Sequence, residues 1–434
     1  MSEKFHNSIE RRASDSTADS ETSLIKEERE GGVAAWLTVV GSILVYYCSM
    51  GILNSFGFFN AYYSSTFLPE TSTSTIAFIG TLQIALMNSL AAVSGALCDL
   101  YGIRWLYIGA GTGTSAGLLI LSFAREHCFW QVFLVQGLLV GFAAAFGAQP
   151  ALTVVGQHFR QQRAIAMGLV TAGSALGGIG FPLMFERLLP VLGFSWMLRV
   201  AALKIAILYS IALAISTSRP AGKDQPRNCG ALIDFRGFLD LRYAVLCIGG
   251  FFAQLGQWIP SYYIKMYTNA AYGNPSISEY FLPMMNGCSI LGAVLGGLLG
   301  DRMGRLNMLW PMVMFTGCIC IFVWLLIDSL AVTVLFACLY GFGTGNFTAL
   351  LPSVVGQITP DKNLGARVGA FYSIVAIASL VGTPIGSALI VDEHKQSRQG
   401  YWWLIVFSGT AITIGSLFML GSRLLHDRSL RKKW

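Results

Sequence analysis

Twelve times between Val33 and Gly421 the chain runs for a long stretch with little or no charge. About 20 apolar residues wound as a helix cross a bilayer, and backbone in hydrocarbon must satisfy its own polar groups, so each run is expected to be a helix. In the first half the runs are Val33 to Gly57, Ile76 to Leu97, Trp105 to Ala124, Phe129 to Val154, Ala164 to Phe185 and Phe194 to Thr217. In the second they are Leu241 to Ile264, Tyr280 to Gly300, Met308 to Ile327, Leu330 to Val354, Val368 to Val391 and Tyr401 to Gly421. With 54% hydrophobic and 12% charged residues in 434, an ordinary soluble domain is excluded.

The two sets of runs are copies. Gly95, Asp99, Gly102 and Arg104 form G-x-x-x-D-x-x-G with a following arginine, and Gly297, Asp301, Gly304 and Arg305 repeat it, the aspartates 202 positions apart. The string V-V-G-Q at Val154 to Gln157 returns at Val354 to Gln357, and Pro182 answers to Pro384. Internal symmetry of this kind marks a secondary transporter. The expected organisation is an all-α membrane protein of twelve transmembrane helices in two pseudo-symmetric six-helix bundles. Residues 33–218 and 241–421 would be the bundles, 219–240 a cytoplasmic linker, 1–32 a disordered cytoplasmic tail and 422–434 a basic one.

Positive loops stay in the cytoplasm. With both termini placed there, the opposite side keeps only Arg125, Arg187, Lys265, Lys395 and Arg398 of the 29 Lys and Arg, while Arg199 and Lys204 fall inside the sixth run. The net charge of +7 is thus accounted for by topology, and nucleic acid is not needed as a partner. No cleavable leader precedes the first run. Arg11-Arg12-Ala13-Ser14 has the form of a kinase site in the tail.

The nine cysteines lie mostly in the apolar runs without C-x-x-C spacing, so neither disulfides nor a metal site is expected. All five histidines are placed in loops or tails, leaving no buried proton carrier. Gly341, Gly343 and Gly345 form G-x-G-x-G inside an apolar run, which reads as helix packing and not nucleotide binding. No nucleophile–base–acid cluster or phosphate loop supports an enzyme, and no cofactor is called for.

The runs, the repeat and the doubled loop resemble the major facilitator superfamily over essentially the whole chain. Within it, Glu30-Gly31-Gly32 before Trp36, the string Asn54 to Phe59, and Arg163 with Gly168, Gly173 and Ser174 resemble the monocarboxylate porter family, especially its fungal members. The resemblance implies two bundles rocking about a central cavity. It also implies a gating role for the doubled loop, with Asp99 and Asp301 pairing with Arg104 or Arg305 and facing a helix N-terminus of the other half. The glycines would permit tight turns and close helix approach.

Animal members that carry lactate with a proton use a Lys in the first span and an Asp/Arg pair in the eighth. The equivalent positions here are Asn54, Ser289 and Ala293. With those charges missing, Lys204 becomes a candidate to bind a carboxylate, because a charge inside the membrane is expensive. Glu186 and Arg187 read as interfacial. The fold implied by the resemblance lines its cavity with the first, fourth, seventh and tenth spans. These carry Asn54, Gln149, Gln254, Gln257 and Asn346, with Tyr46, Tyr47, Trp258, Tyr262 and Tyr340 beside them. Amides and rings suit a molecule with both polar atoms and apolar surface.

The expectation is therefore a monomeric transporter of a small organic metabolite, a carboxylate among the options, working by alternating access at the plasma membrane. Export of a secondary metabolite is the leading direction; uptake of a monocarboxylate or vitamin-like nutrient, and a non-transporting sensor, are the alternatives.

Overall fold

The structure is a computed structural model that describes residues 32–159, 163–218, 235–273, 275–358, 364–391 and 397–426. The kinase-like string, Glu30-Gly31 and most of the linker lie outside them. Regular structure among the described residues is entirely helical. In chain order α1 is Val33–Asn54, α2 Phe56–Tyr62, α3 Thr73–Tyr101, α4 Arg104–Leu121, α5 Phe129–Val132, α6 Gly141–His158 and α7 Arg163–Ile215. Then follow α8 Leu241–Gln257, α9 Ile259–Tyr272, α10 Phe281–Met303, α11 Arg305–Ile319, α12 Leu330–Ile358, α13 Leu364–Ala388 and α14 Trp402–His426. A π-helical stretch, Phe133–Val140, joins α5 to α6.

Nine helices among the described residues are long and apolar enough to cross a membrane. One of them, Ala166–Ile215, is interrupted at Gly193, whose φ of 72° and ψ of 170° break the helix. Helix α4 and the α8–α9 pair occupy the third and seventh expected spans. Leu134, Leu138, Phe142, Leu203 and Ile207 turn outward, as lipid-facing side chains should. Exposed Tyr101 and Trp105 ring one face, and Trp130, Trp196, Trp402 and Trp403 the other, in the manner of interfacial belts. The first of these we term the tail face, because α1 starts there and α14 ends there; the opposite is the far face.

Several expected boundaries move. The loop foreseen at 186–193 is helical up to Gly193, and Glu186 and Arg187 sit on α7. The first span continues past Gly57 to Phe67 and the seventh past Ile264 to Tyr272. Both bend instead of ending, at Ser55 (φ −85°, ψ 0°) and at Trp258 (φ −89°, ψ −14°), within one residue of equivalent places in the two repeats. His158, expected in a loop, is buried in the last turn of α6, with Nδ1 2.9 Å from the Val154 carbonyl and Nε2 3.3 Å from Thr217 Oγ1.

In lipid, close packing and interhelical hydrogen bonds hold helices together where water-driven burial cannot. A Cβ on Gly177 would collide with the Tyr47 carbonyl of α1, and one on Gly341 or Gly345 with carbonyls of Met285 or Ser289 on α10. The G-x-G-x-G string is thus a packing surface. Hydroxyls add ties, such as Ser49 Oγ to Tyr209 OH at 2.5 Å between α1 and α7. Within the halves α1 packs along α7, α8 along α14 and α10 along α12. The halves meet along two long seams, α3 with α13 and α7 with α10, and α2 packs on α9 at the far face. The interval of the duplication converts one seam into the other, so the fold carries the symmetry that the sequence announces.

Candidate functional site

Between the seams lies a cavity of about 220 Å³ walled by both halves. Helix α1 contributes Tyr46, Met50 and Asn54, α3 Asn88, α6 Gln149 and α7 Thr171 and Ser174. From the second half come Gln254 and Gln257 on α8, Trp258 at the bend, Asn286 and Ser289 on α10, Thr344, Phe347 and Thr348 on α12, and Tyr372 on α13. No charged side chain stands among the described residues of this wall. Asn54 and Trp258 reach the wall at the two bends, Asn54 as the last residue before Ser55 and Trp258 at the bend itself.

Asn54, Gln149, Gln254 and Gln257 of the expected binding residues lie on the wall; two others do not. Asn346 is fully buried against Gly296 of α10, and its Oδ1 and Nδ2 have no partner among the described residues. Lys204 stays within the first half. Its Nζ donates to Tyr47 OH at 2.6 Å and lies 4.8 Å and 4.6 Å from the Tyr47 and Phe181 ring centres. The ammonium is held by a phenol and two ring faces, and Tyr47 is not part of the wall.

The wall also holds Asn88, Ser174 and Asn286, which lie on spans that the resemblance left out of the cavity, and Ser289, the position equivalent to a charged residue of the animal porters. A polar side chain in an otherwise apolar run was the available signal.

The amides on the wall are oriented by the protein. Asn54 Nδ2 donates to the Ser174 carbonyl at 3.3 Å and to Ser174 Oγ at 3.0 Å. Asn286 Nδ2 donates to the carbonyls of Gly178 at 3.3 Å and Leu282 at 2.9 Å. Asn88 Nδ2 at 3.3 Å and Gln254 Nε2 at 3.0 Å converge on Ser379 Oγ, which itself donates to the Val375 carbonyl at 2.9 Å.

Contacts across the halves shut the far face. Phe56 and Tyr262 pack with ring centres 4.9 Å apart, Glu186 pairs with Lys265, and Arg187 Nη2 donates to Tyr280 OH at 3.1 Å. Ser74 Oγ donates to the Pro384 carbonyl at 2.9 Å. At the tail face lie the two copies of the doubled loop. Gly102 (φ 73°) and Gly304 (φ 102°) take left-handed turns that a side chain would strain. A Cβ on Gly95 would meet only ordinary contacts at 3.7 Å, and one on Gly297 nothing within 4 Å, so close approach does not require these two. Arg104 is exposed and Arg305 half-buried. The side chains of Asp99 and Asp301 lie outside the described residues.

A family model described as Major Facilitator Superfamily matches residues 38–327 and 246–433. The chain is 32% identical over 396 residues to MFS transporter asaE of Aspergillus flavus, covering 91% of this chain and 88% of that protein. It is 32% identical over 393 residues to Agnestins efflux protein AgnL12 of Paecilomyces divaricatus, with 90% and 87% covered. Among solved structures, a bacterial homologue of the human lysosomal transporter Spinster, in an inward-facing and unoccupied conformation, superposes with a TM-score of 0.68. That likeness covers 93% of this chain and 99% of the bacterial one at 14% identity.

Proposed function

The chain belongs to the major facilitator superfamily, and from that premise we propose that it exports a small organic metabolite across the plasma membrane by alternating access. The observation that carries this reading is the cavity itself: enclosed by both halves, uncharged, and lined by amides among aromatic and thioether side chains. Such a wall suits an organic solute of mixed polarity. Similarity over nine-tenths of the chain to a protein named for metabolite efflux supports the direction.

The finer assignment is to the monocarboxylate porter group, on the string Asn54 to Phe59 and the signature around Trp36. The same reading makes residues 33–218 and 241–421 the moving bundles, with twelve crossings, both termini in the cytoplasm and the tail face inward. Asn54, Gln149, Gln254 and Gln257 would contact the solute. The doubled loop, with Asp99, Arg104, Asp301 and Arg305, would latch the tail face when the far face opens. The protein would work as a monomer without a cofactor. Asn54, Ser289 and Ala293 replace the charges that couple lactate to protons in the animal porters, which weighs against uptake of a monocarboxylate.

Comparing intracellular and medium metabolites in the native organism with and without the gene tests direction and cargo. Export predicts a compound held inside the deletant and missing from its medium. A medium component that ceases to be consumed would replace export with uptake, and no difference, together with no flux in reconstituted vesicles, would favour a sensor.

A further inference from the structure

We propose that the central cavity is built to take an uncharged solute rich in hydrogen-bond donors, a polyhydroxylated or N–H-bearing organic molecule, in preference to a carboxylate or an acceptor-only molecule of the same shape. The inference deepens the transport reading and rests on it for the identity of the site.

An amide side chain offers two donors on nitrogen and an acceptor oxygen. Which end faces a ligand depends on which end the protein occupies. At Asn54 and Asn286 the nitrogen donates to main-chain carbonyls, which can only accept, so neither amide can be turned over without placing two oxygens in contact. Asn88 and Gln254 are fixed by a different route. Ser379 has one hydroxyl hydrogen, and it is committed to the Val375 carbonyl, so Ser379 Oγ meets both amides as an acceptor. These four of the six wall amides therefore have their nitrogens held, Asn88 and Gln254 through one of two N–H groups, and their oxygens without a protein donor among the described residues.

Four of the wall hydroxyls follow the same rule. Ser289 donates to the Asn286 carbonyl at 2.7 Å, Thr171 to Gly168 at 2.8 Å, Thr344 to Gly341 at 2.9 Å and Thr348 to Thr344 at 3.1 Å. Each keeps lone pairs and has no hydrogen to give. Gln149 and Gln257 can serve either way, as can the hydroxyls of Ser174 and Ser261 and the phenols of Tyr46 and Tyr372, and the Trp258 indole N–H is itself buried without a partner. The surface met by a solute is thus weighted toward acceptors, with no cation to compensate an anion. A carboxylate would be placed against carbonyl oxygens and lose its hydration. A hydroxylated solute would replace water's donors with its own.

The test is equilibrium binding to the purified full-length protein, kept separate from vesicle flux. The probes share one skeleton: a trihydroxystilbene, its tri-O-methyl ether and stilbene-4-carboxylate. The hydroxylated probe is expected to bind at least about tenfold more tightly than either of the others, the discrimination of a site whose polar groups are left unpaired by the wrong ligand. Ser379→Ala removes the acceptor shared by Asn88 and Gln254, frees donors into the cavity, and should narrow that ratio by improving binding of the ether. Equal binding of the three probes, or absent binding of the hydroxylated one, overturns the proposal. Ranked binding without flux in reconstituted vesicles would overturn transport and leave the donor preference standing; flux of native metabolites without the ranking would do the reverse.

Discussion

Asn60 donates its amide hydrogen to the carbonyl oxygen of Tyr262 at 3.2 Å, and the two residues stand 202 positions apart, the interval that separates Asp99 from Asp301. A residue that touches its own counterpart in the other repeat lies beside the pseudo-twofold axis. That axis passes between the bent first helices of the two halves, where Phe56 packs on Tyr262 and a Cβ on Gly57 would strike the Ser261 carbonyl. Closure of the far face is therefore an interaction of the duplication with itself.

Asn60→Ala removes about 1 kcal/mol of that closure, the net worth of one hydrogen bond. The population with an open far face should rise about fivefold. Spin labels at exposed Ser65 and Ser276, one on each half, report it as a growing long-distance component. An unchanged distance distribution would remove Asn60 from the closure.

The Glu186–Lys265 pair joins α7 to α9 and is mostly shielded, with side chains 13% and 15% exposed. Glu186→Lys or Lys265→Glu places like charges together and should lower vesicle flux several-fold. The double swap should recover most of it, because coupling between contacting charges is not additive. Failure of the swap to rescue would mean that the two act separately.

Gly102→Ala and Gly304→Ala force a side chain into positive φ and should each destabilise the purified protein by about 1 kcal/mol or more. Gly95→Ala and Gly297→Ala, on helices with room for a methyl, should be neutral or slightly stabilising. Thermal melts of the four variants separate turn geometry from helix packing within one motif.

Lys204→Met should leave the affinity of the hydroxylated probe within about twofold, since a residue away from the solute is additive with the site. It should lower thermal stability through loss of the Tyr47 hydrogen bond and the two ring contacts. A large drop in affinity with unchanged melting would return Lys204 to the binding site.

Asp99→Asn should slow transport while leaving membrane insertion and thermal stability intact, as expected of a latch used in only one state. Normal flux by that variant would refute the latch.

The spans were legible because lipid imposes a length and a composition, and the symmetry because two loops repeat at a fixed interval. Helix rotation was harder to read. Thr344, Thr348 and Leu351 face the cavity, whereas Asn346, two positions from Thr344, is turned about 200° around the same helix. In a span apolar on every side, periodicity does not reveal which face meets the cavity. Lys204 was singled out for its charge, but a long stem and nearby rings let it settle between α7 and α1. The bend at Trp258 is followed by Pro260, whose missing N–H leaves the Gly256 carbonyl to the Ser408 hydroxyl, a local signal that was available in the sequence; the bend at Ser55 has no proline to mark it.

Ser379 belongs to the second half, as does Gln254, but Asn88 belongs to the first. Likewise Asn286 of the second half is held by the Gly178 carbonyl of the first. Rocking that parts the halves at this level strips both asparagines of a cross-half acceptor: Asn88 is then free to turn its amide, while Asn286 stays held by the Leu282 carbonyl and gains a spare N–H. The chamber's chemical balance is then a function of its orientation, with fewer free donors when closed at the far face and more when open there. A solute chosen for its donors would meet competing donors at the moment its exit appears, so release would be driven by the same two amides that favoured capture.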